Sequence, residues 1–279
     1  MISIIICSRK PDIPKELRQN IAETIGCEHE LVIIDNSNNR YSIFSAYNEG
    51  VKRSYGDILC FCHDDILFRS YNWGEAVAGL FDNEKIGQVG IAGSHFLPDA
   101  PFYWWSSPFI SQFNLENDKG VIKHNDTRNY FKGHIADVVA VDGVCFFIPK
   151  ALFSSIRFDN KTYNGFHAYD MDISMQVQSL GKRVCVTDLL TVEHFWSEDS
   201  FKNQKYIAKL DDNLNLFYQK WKNMLPIVRG IDEPDIVIDR LNNLCIQAYD
   251  ATKVRKSKAY RLGHLLLKPF KIFKLFKTK

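Results

Sequence analysis

Residues 57–68 read Asp57-Ile-Leu-Cys-Phe-Cys-His-Asp-Asp-Ile-Leu-Phe68. The apolar run from Ile58 to Cys62 stops abruptly at His63-Asp64-Asp65, and the apolar pattern resumes at Ile66. A short apolar run bounded by polar residues is the pattern of a buried strand. Polar residues directly after such a strand stand where open α/β sheets bind ligands. Two adjacent carboxylates repel each other and resist being desolvated together, so this triplet calls for a metal ion, a salt bridge or water.

The preceding sequence makes the strand part of a repeating unit. Residues 3–7 and 31–34 are β-branched apolar runs, and 14–24 between them has helical spacing. Residues 41–53 have helical spacing through Phe44, Tyr47 and Val51 and end at Tyr55-Gly56, giving the order βαβαβ. Parallel strands need such crossovers. Beyond the opening triplet, the pattern predicts a helix over 72–83 and a strand over 86–92. An irregular stretch over 94–137 follows, carrying the aromatic cluster Phe102-Tyr103-Trp104-Trp105, and a long irregular stretch inside a compact domain is commonly a functional loop. A strand pair or bent strand over 138–148 is broken at Asp142-Gly143; then come a helix over 170–180, a strand over 183–187 and an amphipathic helix over 201–221.

Composition bounds the rest. A chain of 279 residues with 46% hydrophobic content builds a substantial core, which excludes a disordered protein. The net charge of +2 conceals an asymmetry: ten cations and no acid lie in residues 253–279. Seven cysteines, most within apolar runs, read as free thiols of a reducing compartment. Cys60-x-Cys62-His63 lacks a second Cys/His pair at finger-like spacing, which argues against structural zinc. The opening MISIIICSRK reads as a first strand rather than a signal peptide, and no apolar run reaches membrane-spanning length.

Three polar sets follow the first three strands: Ser8-Arg9, Asp35-Asn36-Ser37 and His63-Asp64-Asp65. Taken alone, Asp35-Asn36-Ser37 is equally a turn with a helix cap. Together with Asn48-Glu49-Gly50 on the second helix, these residues resemble inverting family-two glycosyltransferases of the GT-A fold, over roughly residues 2–200. The resemblance implies an α/β, Rossmann-like, mostly parallel sheet flanked by helices, with Ser8, Asp35, His63, Asp64 and Asp65 on the side of a nucleotide-diphosphate-sugar donor. His63-Asp64-Asp65 stands in the place of the family's D-x-D motif, so Asp65 would bind Mn²⁺ or Mg²⁺ and His63 replaces the first aspartate. An imidazole suits Mn²⁺ better than Mg²⁺, or it contacts the donor's ribose or phosphate.

Two further segments carry the resemblance. In DGVCFFIPKALF, Asp142-Gly143 would open the acceptor side; in FHAYDMDISMQVQSLGKRV, Asp170 would be the general base, with Asp172 two residues along on the acceptor side. Tyr169 occupies a place usually held by Glu. The alternative for both aspartates is that they complement a helix N-terminus. His194, in TVEHFW, matches a histidine that completes the metal site. Trp104 and Trp105 offer either a stacking platform for an acceptor sugar or core aromatics. The Gln-x-x-Arg-Trp motif of processive synthases is absent, which points to single-sugar transfer.

The implied organisation is a catalytic domain over 1–223, a helical extension over 224–252 and a basic amphipathic tail over 253–279. In the tail, GHLLLKPFKIFKLFKTK interleaves large apolar residues with lysines, a pattern suited to an anionic membrane surface rather than nucleic acid. Placement at the cytoplasmic face of the cell membrane and a glycan or lipid-linked acceptor follow as expectations. A nucleotidyltransferase and a catalytically silent glycan-binding domain are the competing readings. The first is disfavoured because Ile6-Cys7-Ser8-Arg9-Lys10-Pro11 has no glycine.

Overall fold

The computed structural model describes residues 1–104, 111–113, 115–117, 120–121, 131–195, 204–231, 234 and 238–257. The opening unit is β1 (Ile2–Ser8), α1 (Lys15–Thr24), β2 (His29–Asp35), α2 (Ile43–Arg53) and β3 (Ile58–Cys62). It is followed by β4 (Ile66–Phe68), α3 (Trp73–Leu80), β5 (Ile86–Gly90), β6 (Ala92–Ser94) and β7 (Phe96–Leu97). The stretch expected to be irregular contributes short strands, β8 (Ser111–Phe113), β9 (Leu115–Asn117), β10 (Gly120–Val121) and β11 (Ile135–Asp137). The break at Asp142-Gly143 divides β12 (Ala140–Val141) from β13 (Cys145–Pro149). Then come α4 (Tyr169–Ser179), β14 (Arg183–Thr187), β15 (Val192–His194), α5 (Gln204–Trp221), β16 (Ile227–Val228) and a helix over Asn243–Lys256.

The central sheet has seven strands in the order β11-β14-β5-β13-β3-β1-β2. β2 and β3 both run parallel to β1, β13 runs antiparallel to β3 and β5, and β14 runs parallel to β5. Hence β1, β2, β3, β5 and β14 all point the same way. Their carboxyl ends share one edge of the sheet, and the register pairs Ser8 with Asp35 there.

Successive strand residues face opposite sides, so Phe146 and Phe147 of β13 report on the two helical layers. Phe146 stacks on Phe61, which also meets Tyr47 of α2, with ring centroids 5.2 and 5.0 Å apart. Phe147 instead meets Trp73 of α3 at 5.9 Å, and the Trp73 indole donates to Thr24 of α1. One face therefore carries α2 and the other α1 and α3. α2 begins at Ser42, whose hydroxyl accepts from the Ser45 N–H, and ends with Lys52 and Arg53 against its negative pole.

The Asn48-Glu49-Gly50 segment has a structural explanation. Asn48 exchanges two hydrogen bonds with the backbone of Phe158, and a Cβ at Gly50 would stand 2.3 Å from Ile5 Cγ2. Glycine at that point lets α2 lie directly on β1. The cysteines are free thiols, and Cys60, Cys62, Cys145, Cys185 and Cys245 are buried.

The region expected to be a helical extension starts differently. β16 pairs with β7, so residues 227–228 add a strand, and Val228, Leu241 and Cys245 close a small separate core on Phe96. Residues 258–279, most of the basic tail, lie outside the described residues.

Candidate functional site

The expected donor-side residues sit at the shared carboxyl edge. Ser8 closes β1, fully buried, and its hydroxyl donates to Asp64 Oδ2 at 2.7 Å. Asn36 bridges back to the same strand by donating its N–H to the Ser8 carbonyl, while its side chain exchanges two bonds with Tyr41. Asp35 is exposed, and the Ser37 backbone N–H, then the Ser37 hydroxyl, hold its carboxyl below the ordinary value.

His63, Asp65 and His194 converge. Asp65 Oδ1 lies 3.3 Å from His194 Nε2 and 3.7 Å from His63 Nδ1, and the two ring nitrogens are 3.4 Å apart. Backbone pairing sets this convergence. β4, which starts immediately after Asp65, runs antiparallel to β15, with Ile66 opposite His194, and the Phe195 N–H donates to the Asp65 carbonyl. On the other side the His63 N–H donates to the Val144 carbonyl, which ties the triplet to β13.

Electrostatics put two members of this cluster, His63 and Asp65, in the form a cation needs. Burial, then the neighbouring His194, pushes the His63 imidazole down to about 4, so the ring is neutral near pH 7. Burial alone would raise Asp65, but the hydrogen bond and charge of His194, helped by His63, hold it below the usual carboxylate value. Metal ions with bonds of about 2.0–2.2 Å set adjacent ligand atoms roughly 3–3.6 Å apart, a range that holds two of the three separations here, with the 3.7 Å between His63 and Asp65 just beyond it. Two imidazole nitrogens and one carboxylate oxygen fit Mn²⁺ and other transition ions better than Mg²⁺, which favours oxygen throughout. His63, expected on the donor, thus shares the cluster with the two residues expected to hold metal.

A second group adjoins the first through Gly143. The Tyr169 hydroxyl donates to the Gly143 carbonyl at 3.0 Å and lies 3.1 Å from His63 Nε2. Asp142 follows β12 and accepts from the Val144 N–H at 2.7 Å, while burial raises its carboxyl. Asp170 opens α4 beside it. Burial and then the charge of Asp142 push Asp170 up to about 7, against the backbone N–H groups of Met171 and Gly143. A half-buried carboxylate with its proton affinity raised to this range is suited to taking a proton from a hydroxyl near pH 7.

Two expected acceptor residues are placed elsewhere. Asp172 is 1% exposed and points away from this edge, accepting from the Tyr163 hydroxyl, the Trp221 indole, Gln176 and Lys220. Through Lys220 and Trp221 it joins α4 to α5. Trp104 is 3% exposed and packs in the main core, so it offers no open platform. Trp105 lies outside the described residues. An aromatic that does lie open beside the cluster is Phe166, 43% exposed, 5.7 Å from both the His63 and the Tyr169 ring. A single aromatic in a glycine-containing loop gave no sequence signal for that position.

Residues 3–221 match the model of a glycosyltransferase-like family. No match was found among curated proteins. Among solved structures, GalNAc-T7 with UDP, GalNAc and Mn²⁺ superposes with a TM-score of 0.51 at 13% identity, over 70% of this chain. That alignment spans only 43% of the GalNAc-T7 chain. A Staphylococcus aureus TarS fragment, residues 1–349 in complex with UDP-GlcNAc, aligns at 14% identity and a TM-score of 0.46, over 71% of this chain and 59% of its own.

The separation of Asp170 from Asp172 has a measurable consequence. Asp172→Ala leaves the buried Tyr163 and half-buried Trp221 donors without this partner, so unfolding in urea should reveal a loss of about 3 kcal/mol. Mn²⁺ titration of the folded variant should match the parent protein.

Proposed function

The chain belongs to this glycosyltransferase-like family, with the GT-A fold, and from that premise we propose that it moves one sugar from a nucleotide-diphosphate-sugar donor to a glycan or lipid-linked acceptor, with inversion. The observation that carries the reading is the juxtaposition of two groups. His63, Asp65 and His194 form a cation-type cluster, and Asp170, raised to about 7, adjoins it across Gly143.

In this reading Asp35 and the Ser8–Asp64 pair receive the nucleoside, and His63, Asp65 and His194 hold Mn²⁺, the ion that accompanies UDP and GalNAc in the GalNAc-T7 structure. Bound there, a divalent cation offsets the negative charge that grows on the departing nucleoside diphosphate. Asp170 accepts the proton of an acceptor hydroxyl as that oxygen attacks the anomeric carbon. One base and one in-line displacement give inversion. Asp142 keeps Asp170 basic through its charge, and Phe166 supplies an exposed apolar face beside His63.

Family membership weighs against a nucleotidyltransferase, and a silent glycan-binding domain is separated from an enzyme by transfer itself. A thermal-shift panel of UDP-, GDP-, dTDP- and CMP-sugars with and without Mn²⁺ identifies the donor, since a ligand of the native state raises its stability. Asp65→Ala should abolish the Mn²⁺-dependent part of that shift. Unchanged Mn²⁺-dependent affinity in a folded variant would remove the metal assignment.

Asp170→Asn should leave donor binding intact and lower turnover by about 10²-fold or more. For the parent protein, a base raised to about 7 is protonated and inactive below that value. Turnover should therefore climb with pH through about 7 and level off above it, and the rising limb should vanish in Asp170→Asn.

None of the described helices is long and apolar enough to cross a membrane. The lysine-and-phenylalanine pattern of the tail supports a peripheral position on an anionic cytoplasmic leaflet, where lipid-linked acceptors are presented. Removing residues 253–279 should abolish co-sedimentation with anionic liposomes and spare donor hydrolysis; equal sedimentation of both forms would refute this placement.

A further inference from the structure

The Tyr169 hydroxyl is a buried polar group with no part in the transfer chemistry described above. Its single proton goes to the Gly143 carbonyl, 3.0 Å away, because a carbonyl only accepts. The same oxygen lies 3.1 Å from His63 Nε2 and has only lone pairs left to offer. The hydrogen between them must therefore sit on Nε2. A neutral imidazole carries one N–H, so Nδ1 is bare. Nδ1 is the nitrogen that faces the cluster, 3.4 Å from His194 Nε2 and 3.7 Å from Asp65 Oδ1. The opposite tautomer would leave the Gly143 carbonyl unpaired and point an N–H into the place a cation would take.

The hydroxyl is held firmly. The Tyr169 ring meets Phe44, Tyr47 and Phe166 with centroids 6.4, 5.6 and 5.7 Å apart. A Cβ at Gly143 would stand 2.0 Å from the hydroxyl oxygen, so the close approach needs glycine there. We infer that Tyr169 is a positioning residue: it fixes the His63 tautomer so that Nδ1 completes a two-histidine, one-aspartate centre for a transition-metal ion. The inference rests on the metal reading of the site and extends it to a side chain that would not itself coordinate the ion.

The test uses the full chain, its Tyr169→Phe variant, which keeps the ring and loses only the hydroxyl, and His63→Gln. Long-range ¹H–¹⁵N spectra of histidine-labelled protein report the tautomer, and loss of one set of signals in His63→Gln assigns His63 among the eight histidines. Mn²⁺ affinity is read from the paramagnetic resonance of the free ion. The expected results are Nε2-protonated His63 in the metal-free parent and mixed tautomers with roughly 10-fold or weaker Mn²⁺ binding in Tyr169→Phe, the scale for loss of a partner that orients a ligand. Nδ1-protonated His63 in the parent overturns the inference, and that spectrum decides even where Tyr169→Phe fails to fold. Parent-like tautomer and affinity in folded Tyr169→Phe, with binding lost in His63→Gln, overturn the role of Tyr169 alone. A parent protein that binds no Mn²⁺, or binds it as His63→Gln does, overturns the metal reading and this inference together.

Discussion

The antiparallel ladder between residues 66–68 and 192–194 is the contact on which the candidate site depends. It sets Ile66 opposite His194 and Phe68 opposite Val192, and the Phe195 and Arg69 N–H groups extend it at its two ends. Each backbone bond contributes only about 1 kcal/mol net, but together they bring a histidine from far along the chain against Asp65. The ladder is itself anchored from below. Asn20 of α1 exchanges two bonds with the backbone of Phe68, and Phe68 stacks on Trp73 at 4.3 Å. An ion pair between Arg69 and Glu193 adds a cross-strand contact at the exposed margin.

With that frame in place, four half-buried carboxylates, besides the exposed Asp35, crowd one edge of the sheet. Asp64 has the Ser8 hydroxyl, Asp65 has two imidazoles, and Asp142 has one backbone N–H. Asp170 is also held by backbone N–H groups, yet burial and the charge of Asp142 outweigh them. Asp170 accepts more backbone N–H groups than Asp142 and is still raised to about 7, and it stands next to the cluster rather than in it. In the proposed reading, this separation lets one group bind a cation while another accepts a proton at the same pH.

Much of this was legible from periodicity. The runs at 3–7, 31–34 and 58–62 are short, apolar and separated by helical spacing, so the parallel unit and the edge carrying Ser8, Asp35 and His63 followed directly. His194 was legible only through resemblance, because no local pattern encodes a contact across 131 positions. The partnership of Tyr169 with His63 depends on the missing side chain of Gly143, and spacing does not show what a glycine admits. Trp104 fell in a stretch without periodicity, where burial leaves no mark in the sequence. For Asp172 a signal existed. Residues two apart on a helix are turned by about 200°, so Asp170 and Asp172 face opposite ways.

That turn gives α4 its two functions. One side of its first turn presents Tyr169 and Asp170 to Gly143, and the other side sends Asp172 into Trp221 and Lys220 of α5. The helix is entered through Ala168 at φ 69°, a left-handed conformation that costs a non-glycine residue roughly 1–2 kcal/mol. α5 also holds the entry loop, since the buried Asn213 amide donates to the Asn164 and His167 carbonyls, each at 2.8 Å. The position of Asp170 is therefore set from two directions, by the loop that precedes it and by the aspartate that follows it. Both constraints come from α5, so the helix that contributes no side chain to the cluster fixes where Asp170 stands.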